Sequence, residues 1–121
     1  MSKAYTVSFY DLPDGTFPAY DFIEAQSVKM SAKIYWTIDL LEEFGPQLRQ
    51  PYSKPLGDGI FELRSEIGSD ITRVLYFFVF GKKAVLTHGF VKKSRKTPRE
   101  EIKRAKQYRT EYMSRHLEQE E

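Results

Sequence analysis

The chain has 121 residues with 19 Lys and Arg, 17 Asp and Glu, two His and no Cys, which leaves room for one globular domain over residues 1–121 and no second core. Without Cys there are no disulfides, thiolate zinc sites, iron–sulfur clusters or cysteine nucleophiles, and His88 and His116 are too few for a three-histidine metal site, so neither metal nor cofactor is expected. The longest apolar run is the seven residues 74–80 and the N-terminal stretch has no apolar segment of signal-peptide type, which predicts a soluble, cytoplasmic protein with no membrane contact.

The chain opens with a strand-like run at residues 4–10, rich in Tyr, Thr, Val and Phe, closed by Asp11-Leu-Pro-Asp-Gly15. A short helix follows Pro18. Ser27 is placed to cap a second helix running to Phe44, with Ile34, Ile38, Leu41 and Phe44 on one side and Gly45-Pro46 as its stop. Met30 and Trp36 on this helix read as core. Residues 45–59, with three Pro and three Gly, form the longest loop, and Gly57-Asp-Gly59 within it reads as a turn.

Three strand-like runs follow at residues 60–66, 71–80 and 83–91, separated by residues 67–70 and by a Gly81-Lys82 turn, and they predict an antiparallel meander. Thr97, Pro98 and Glu100 mark the start of a last helix, with Thr97 as N-cap and Glu100 in the capping-box position. Ile102, Ala105, Tyr108 and Tyr112 give that helix one apolar stripe, and Met113 reads as packing. The fold class is therefore α+β, an antiparallel sheet in β-α-α-β-β-β order with two N-terminal helices and a C-terminal helix.

Charge is uneven: residues 1–81 carry a net −4 and residues 82–121 a net +6, and residues 92–109 hold nine basic side chains against Glu100 and Glu101. Such a run is either a solvated helix face or a surface for phosphates or an acidic partner. A symmetric 67–70 hairpin pairs Arg64 with Arg73, and a two-residue Gly81-Lys82 turn pairs Phe80 with Lys83, Leu75 with His88 and Arg73 with Phe90. One face then collects Phe61, Leu63, Val74, Tyr76, Phe78, Val85 and Val91. The other brings Arg64, Arg73, His88, Phe90 and Lys92 to one end of the sheet, with Lys93 just beyond.

Two arginines directly opposite each other repel by a few tenths to about 1 kcal/mol. Either Glu62 and Glu66 pair with them or a bound polyanion does, since a guanidinium fork matches phosphate oxygens. Phe90 among the bases points to RNA, where stacking and phosphate contacts occur together. His88 is either a general acid or base or a satisfied core residue.

Three segments in order, Leu56-Gly-Asp-Gly-Ile-Phe-Glu-Leu-Arg64, Ile71-Thr-Arg-Val-Leu-Tyr76 and Leu86-Thr-His-Gly-Phe-Val-Lys-Lys93 with Thr97-Pro98 behind it, resemble the RelE/ParE superfamily of toxins. The HigB-like branch also shows the Leu40-Leu-Glu-Glu-Phe-Gly-Pro46 pattern. The resemblance implies a RelE-like fold and the toxin of a toxin–antitoxin pair, neutralised by a helix-turn-helix antitoxin of HigA type. Its target would be mRNA on the ribosome, and its effect inhibition of translation.

By that resemblance the protein is a metal-independent endoribonuclease that activates the RNA 2′-hydroxyl for in-line attack, leaving a 2′,3′-cyclic phosphate. Arg73 matches the family's strand arginine and Lys93 its basic residue after the last strand, whereas the second-strand lysines of RelE toxins fall at Ile60 and Glu62. The implied catalytic set is Arg73 with Arg64 for the phosphate charge, and Lys92, Lys93 and His88 for acid and base. Phe90, Arg95, Lys96, Arg99 and Lys103 form the expected RNA-binding surface. Two other readings stay open, a ParE-like toxin that binds DNA gyrase without cutting RNA and an adaptor that only binds nucleic acid.

Overall fold

The computed structural model describes residues 3–80 and 82–120, with side chains as far as His116. Its strands are β1 (Thr6–Phe9), β2 (Ser53–Gly57), β3 (Ile60–Ile67), β4 (Asp70–Val79) and β5 (Lys83–Val91), and its helices are α1 (Pro18–Glu24), α2 (Val28–Phe44) and α3 (Arg99–Glu120). The strands form one five-stranded sheet in the order β1-β5-β4-β3-β2. Among the described residues no helix is long and apolar enough to cross a membrane.

Local chemistry explains the helices on one face. Pro18 opens α1 at a position where its missing N–H costs nothing, and Ser27 Oγ accepts from the Met30 amide at 3.1 Å to cap α2. Gly45 ends α2 with φ +54°, and a Cβ there would strike the Tyr5 ring. The stripe Met30, Ile34, Ile38 and Leu41 meets Leu63, Val74, Tyr76 and Leu86 of the sheet, each fully buried side chain contributing about 1.5–3 kcal/mol. On the opposite face α3 lays Ala105 and Tyr112 over Ile60, Leu75, Phe77 and Val85.

The sheet is mixed, not antiparallel throughout. β1 runs parallel to β5, with Thr6 opposite Lys83 and Phe9 opposite Leu86, because α1 and α2 carry the chain across the sheet before the meander begins at the far edge. The meander also has one more strand than the sequence suggests: β2 pairs antiparallel with β3, turning through Asp58 and Gly59, both at positive φ. Pro55 is tolerated because β2 is an edge strand.

A bulge alters the β4–β5 register. Leu75 faces His88 and Arg73 faces Phe90, as the spacing predicts, but Tyr76 faces Leu86, so Thr87 is an extra residue whose Oγ1 donates to the Leu75 carbonyl at 3.1 Å. Val79 instead of Phe80 consequently faces Lys83, and Val85 turns to the α3 side instead of joining Phe61 and Leu63. The expected Gly81-Lys82 turn involves Gly81, which lies outside the described residues. Trp36, expected in the core, is 45% exposed, and Phe44 is exposed too.

Gly89 on β5 lies under Phe22 of α1, where a Cβ would fall inside the ring. Gly89→Ala should therefore cost about 1–3 kcal/mol through overpacking and lower the thermal unfolding midpoint by several degrees. An unchanged midpoint would contradict this close approach.

Candidate nucleic-acid interface

The β3–β4 ladder places Arg64 directly opposite Arg73. Strand alternation turns Glu62, Arg64 and Arg73 toward the side covered by α3, where the sheet ends before the helix begins. Arg73 is 2% exposed and Glu62 1%. Glu62 Oε2 lies 3.6 Å from Nε of both arginines, Glu66 Oε1 lies 3.7 Å from Arg73 Nη2, and the Thr97 hydroxyl donates to Glu62 Oε1. Thr97 is thus spent on Glu62, and α3 starts later, with the Glu101 amide donating to the Pro98 carbonyl at 3.1 Å.

The carboxylate pairing that sequence left as one of two alternatives is present, but it does not saturate the guanidiniums. Arg73 Nη1 donates to the Thr72 carbonyl at 2.9 Å, while Nε of Arg64 and of Arg73 has no hydrogen-bond partner. A buried cation costs several kcal/mol unless compensated. Burial first, then the Arg64 charge, holds the Arg73 guanidinium below its ordinary range, against the pull of Glu62 and Glu66.

Arg64, Glu66, Arg73, Lys92, Lys93 and Arg95 line an open cleft of about 400 Å³ at this end of the sheet. Lys92 is placed by its backbone, whose amide donates to the Ile71 carbonyl at 2.9 Å one residue beyond β5. Burial, then Arg73, pushes the Lys92 amine below the usual lysine range; Glu62 opposes this, and Arg64 and Lys54 add to it. Lys54 was hidden from sequence reasoning because residues 45–59 read as loop; it sits on β2 opposite Glu62 and restores a lysine to the second strand of the chain. The Asp58-Gly59 pair between apolar residues is the hairpin signal that marks it.

The other predicted site residues divide. His88 is buried away from the cleft, with Nε2 3.1 Å from Glu101 Oε1 and Nδ1 3.1 Å from Thr87 Oγ1, and the Tyr108 ring stands edge-on to it. Phe90 is partly buried and packs against the core under α3. Lys96, Arg99 and Lys103 are exposed and continue the basic surface from Arg95 along the start of α3.

No curated protein matches the chain. A family model described as Phage derived protein Gp49-like (DUF891) matches residues 21–110, a span that takes in α2, β2 to β5 and every residue of the cleft. The chain belongs to this family, which is part of the RelE/ParE-like toxin superfamily, and a toxin of that kind implies an antitoxin partner.

Burial pushes the His88 imidazole below its ordinary value of 6.5; the Glu101 hydrogen bond and charge oppose this and Arg104 adds to it. Because the folded state then binds its proton less readily than the unfolded chain, stability is full above pH 6.5 and falls as pH drops through the lowered folded value. Unfolding midpoints measured from pH 7 down to pH 5 should decline, and His88→Gln should flatten that decline. Equal slopes in both proteins would contradict the buried neutral imidazole.

Proposed function

We propose that this Gp49-like protein is a HigB-like toxin acting as a metal-independent endoribonuclease on mRNA at the ribosome, in the cytoplasm, with a helix-turn-helix antitoxin as its inhibitor. The observation that carries the reading is the Arg64–Arg73 pair, opposed across two strands, held by a buried carboxylate and opening into a cleft rimmed by lysines.

In this reading a scissile phosphate lies in the cleft against Arg64, with the buried Arg73 behind it, and the two positive charges stabilise the charge that grows on the phosphoryl oxygens. The neutral Lys92 amine takes the proton of the adjacent 2′-hydroxyl, the 2′-oxygen bonds to phosphorus, and the bond to the 5′-oxygen breaks. Lys93 gives that leaving oxygen a proton. The products are a 2′,3′-cyclic phosphate and a 5′-hydroxyl, and the two lysines return to their starting states by exchange with water. Arg95, Lys96, Arg99 and Lys103 supply sequence-independent attraction for the backbone. His88 has a structural role, tying β5 to α3.

The test is cleavage of mRNA on purified ribosomes, with cut ends mapped. Arg73→Ala should reduce cleavage about 10²- to 10³-fold, and Arg73→Lys should restore only part, because a point charge cannot reproduce the fork. The wild-type rate should rise with pH as Lys92 deprotonates below the ordinary lysine range, and Lys92→Arg should remove that rise. EDTA sufficient to take up transition metals, with magnesium kept in excess over it for the ribosomes, should leave cleavage intact. A folded Arg73→Ala protein that still cuts, or growth arrest with uncut mRNA and inhibited gyrase, would overturn the reading.

A further inference from the structure

A second hollow adjoins the cleft. Lys33, Pro51, Tyr52, Arg64 and Glu66 line a space of about 180 Å³, and Arg64 and Glu66 belong to both cavities. The space has room for about six water molecules, enough for one planar base and too little for a stretch of chain. Tyr52 is fixed beside Arg64 by two backbone hydrogen bonds: its carbonyl accepts from the Arg64 amide at 2.8 Å, and its amide donates to the Arg49 carbonyl at 3.0 Å.

The aromatic wall behind it is built from α2. Trp36 meets the Tyr52 ring at 5.7 Å and 71°, and Lys33 Nζ lies 4.3 Å from the centre of the Trp36 ring. These residues leave Trp36 exposed and Tyr52 partly exposed beside Lys33 and Arg64, whereas Phe90, the aromatic among the bases on the sheet, packs its buried part against the core under α3. A cation, an aromatic face and a continuous path to a phosphate cradle are what single-stranded nucleic acid requires.

We propose that this hollow is a subsite for the single-stranded RNA nucleobase adjacent to the scissile phosphate, stacked on Tyr52, with Lys33 meeting the next phosphate. Arg64, common to both cavities, spans the base subsite and the phosphate cradle. Because every base has a stacking face, the subsite tolerates any of the four. It rests on the reading of the cleft as an RNA site.

Trp36 is the single tryptophan of the chain and touches Tyr52, so its emission reports occupancy of the subsite without reference to cleavage. The probe is an end-labelled single-stranded RNA oligonucleotide with a 2′-deoxy residue at the cut position, which removes the nucleophile. Titration should change Trp36 emission in parallel with anisotropy, and an abasic residue on one side of the cut position should abolish the emission change. Tyr52→Ala should weaken binding about 5- to 150-fold, the equivalent of one base stack at 1–3 kcal/mol, with an unchanged unfolding midpoint, and Tyr52→Phe should bind as wild type. Full binding by anisotropy with constant Trp36 emission and a neutral Tyr52→Ala would overturn the subsite while leaving the cleft reading in place. No binding of the oligonucleotide, together with no cleavage of mRNA on ribosomes, would overturn both.

Discussion

Glu62 lies on β3 almost without exposure, 3.6 Å from Arg64 and from Arg73, and the Thr97 hydroxyl donates to its other oxygen. Charges survive burial only in company, and here the dependence is mutual. Two guanidiniums side by side on neighbouring strands would splay apart without the carboxylate between them, and the carboxylate would be intolerable without the guanidiniums. Thr97 extends the dependence to the segment leading into α3, so the helix, the two strands and the mouth of the cleft share one anchor. The pair distances exceed hydrogen-bond length, so the buried Nε of each arginine is held by the Glu62 charge and not by a hydrogen bond.

The basic run of residues 92–109 divides by its contacts along its length. Lys106 reaches Asp58 at 2.6 Å, Arg109 donates to the Asp58 carbonyl, and Arg104 pairs with Glu101 at 3.2 Å, so these three fasten α3 to the β2–β3 turn and to itself. Lys93, Arg95, Lys96 and Arg99 make no ion pair among the described residues; Lys93 and Arg95 line the cleft, and Lys96 and Arg99 are exposed just beyond it in the chain. Of the two alternatives open when only the sequence is read, the second half of the run is a helix face engaged in ion pairs, and the first half is the part that the proposed phosphate surface would use.

Much of this was legible in the sequence wherever a short loop fixed a register. The 67–70 hairpin set Arg64 opposite Arg73, and the end of β5 set Phe90 beside them. What escaped depended on irregularities whose cause lies elsewhere in the fold. Thr87 is a bulge because its hydroxyl can serve the Leu75 carbonyl, and nothing local to Thr87 announces that. β2 was obscured because Pro55 and two glycines suit a loop, and only the free edge of the sheet makes them compatible with a strand; Lys54 was lost with it. Trp36 broke the helical pattern because its partner, Tyr52, lies across an irregular segment and outside the core. Thr97 had every mark of an N-cap, but a buried carboxylate is a stronger claimant for a hydroxyl than an amide that water can also satisfy.

The most direct measurement is a double-mutant cycle on Glu62 and Arg73, reading mRNA cleavage and thermal unfolding in the same four proteins. Glu62→Gln keeps the shape and removes the charge. If Glu62 organises the arginine pair, Glu62→Gln lowers cleavage about 10²-fold, lowers the unfolding midpoint, and adds little further loss in the Arg73→Ala background, since contacting groups are strongly coupled. Wild-type cleavage by Glu62→Gln, with effects that simply add in the double mutant, would contradict it.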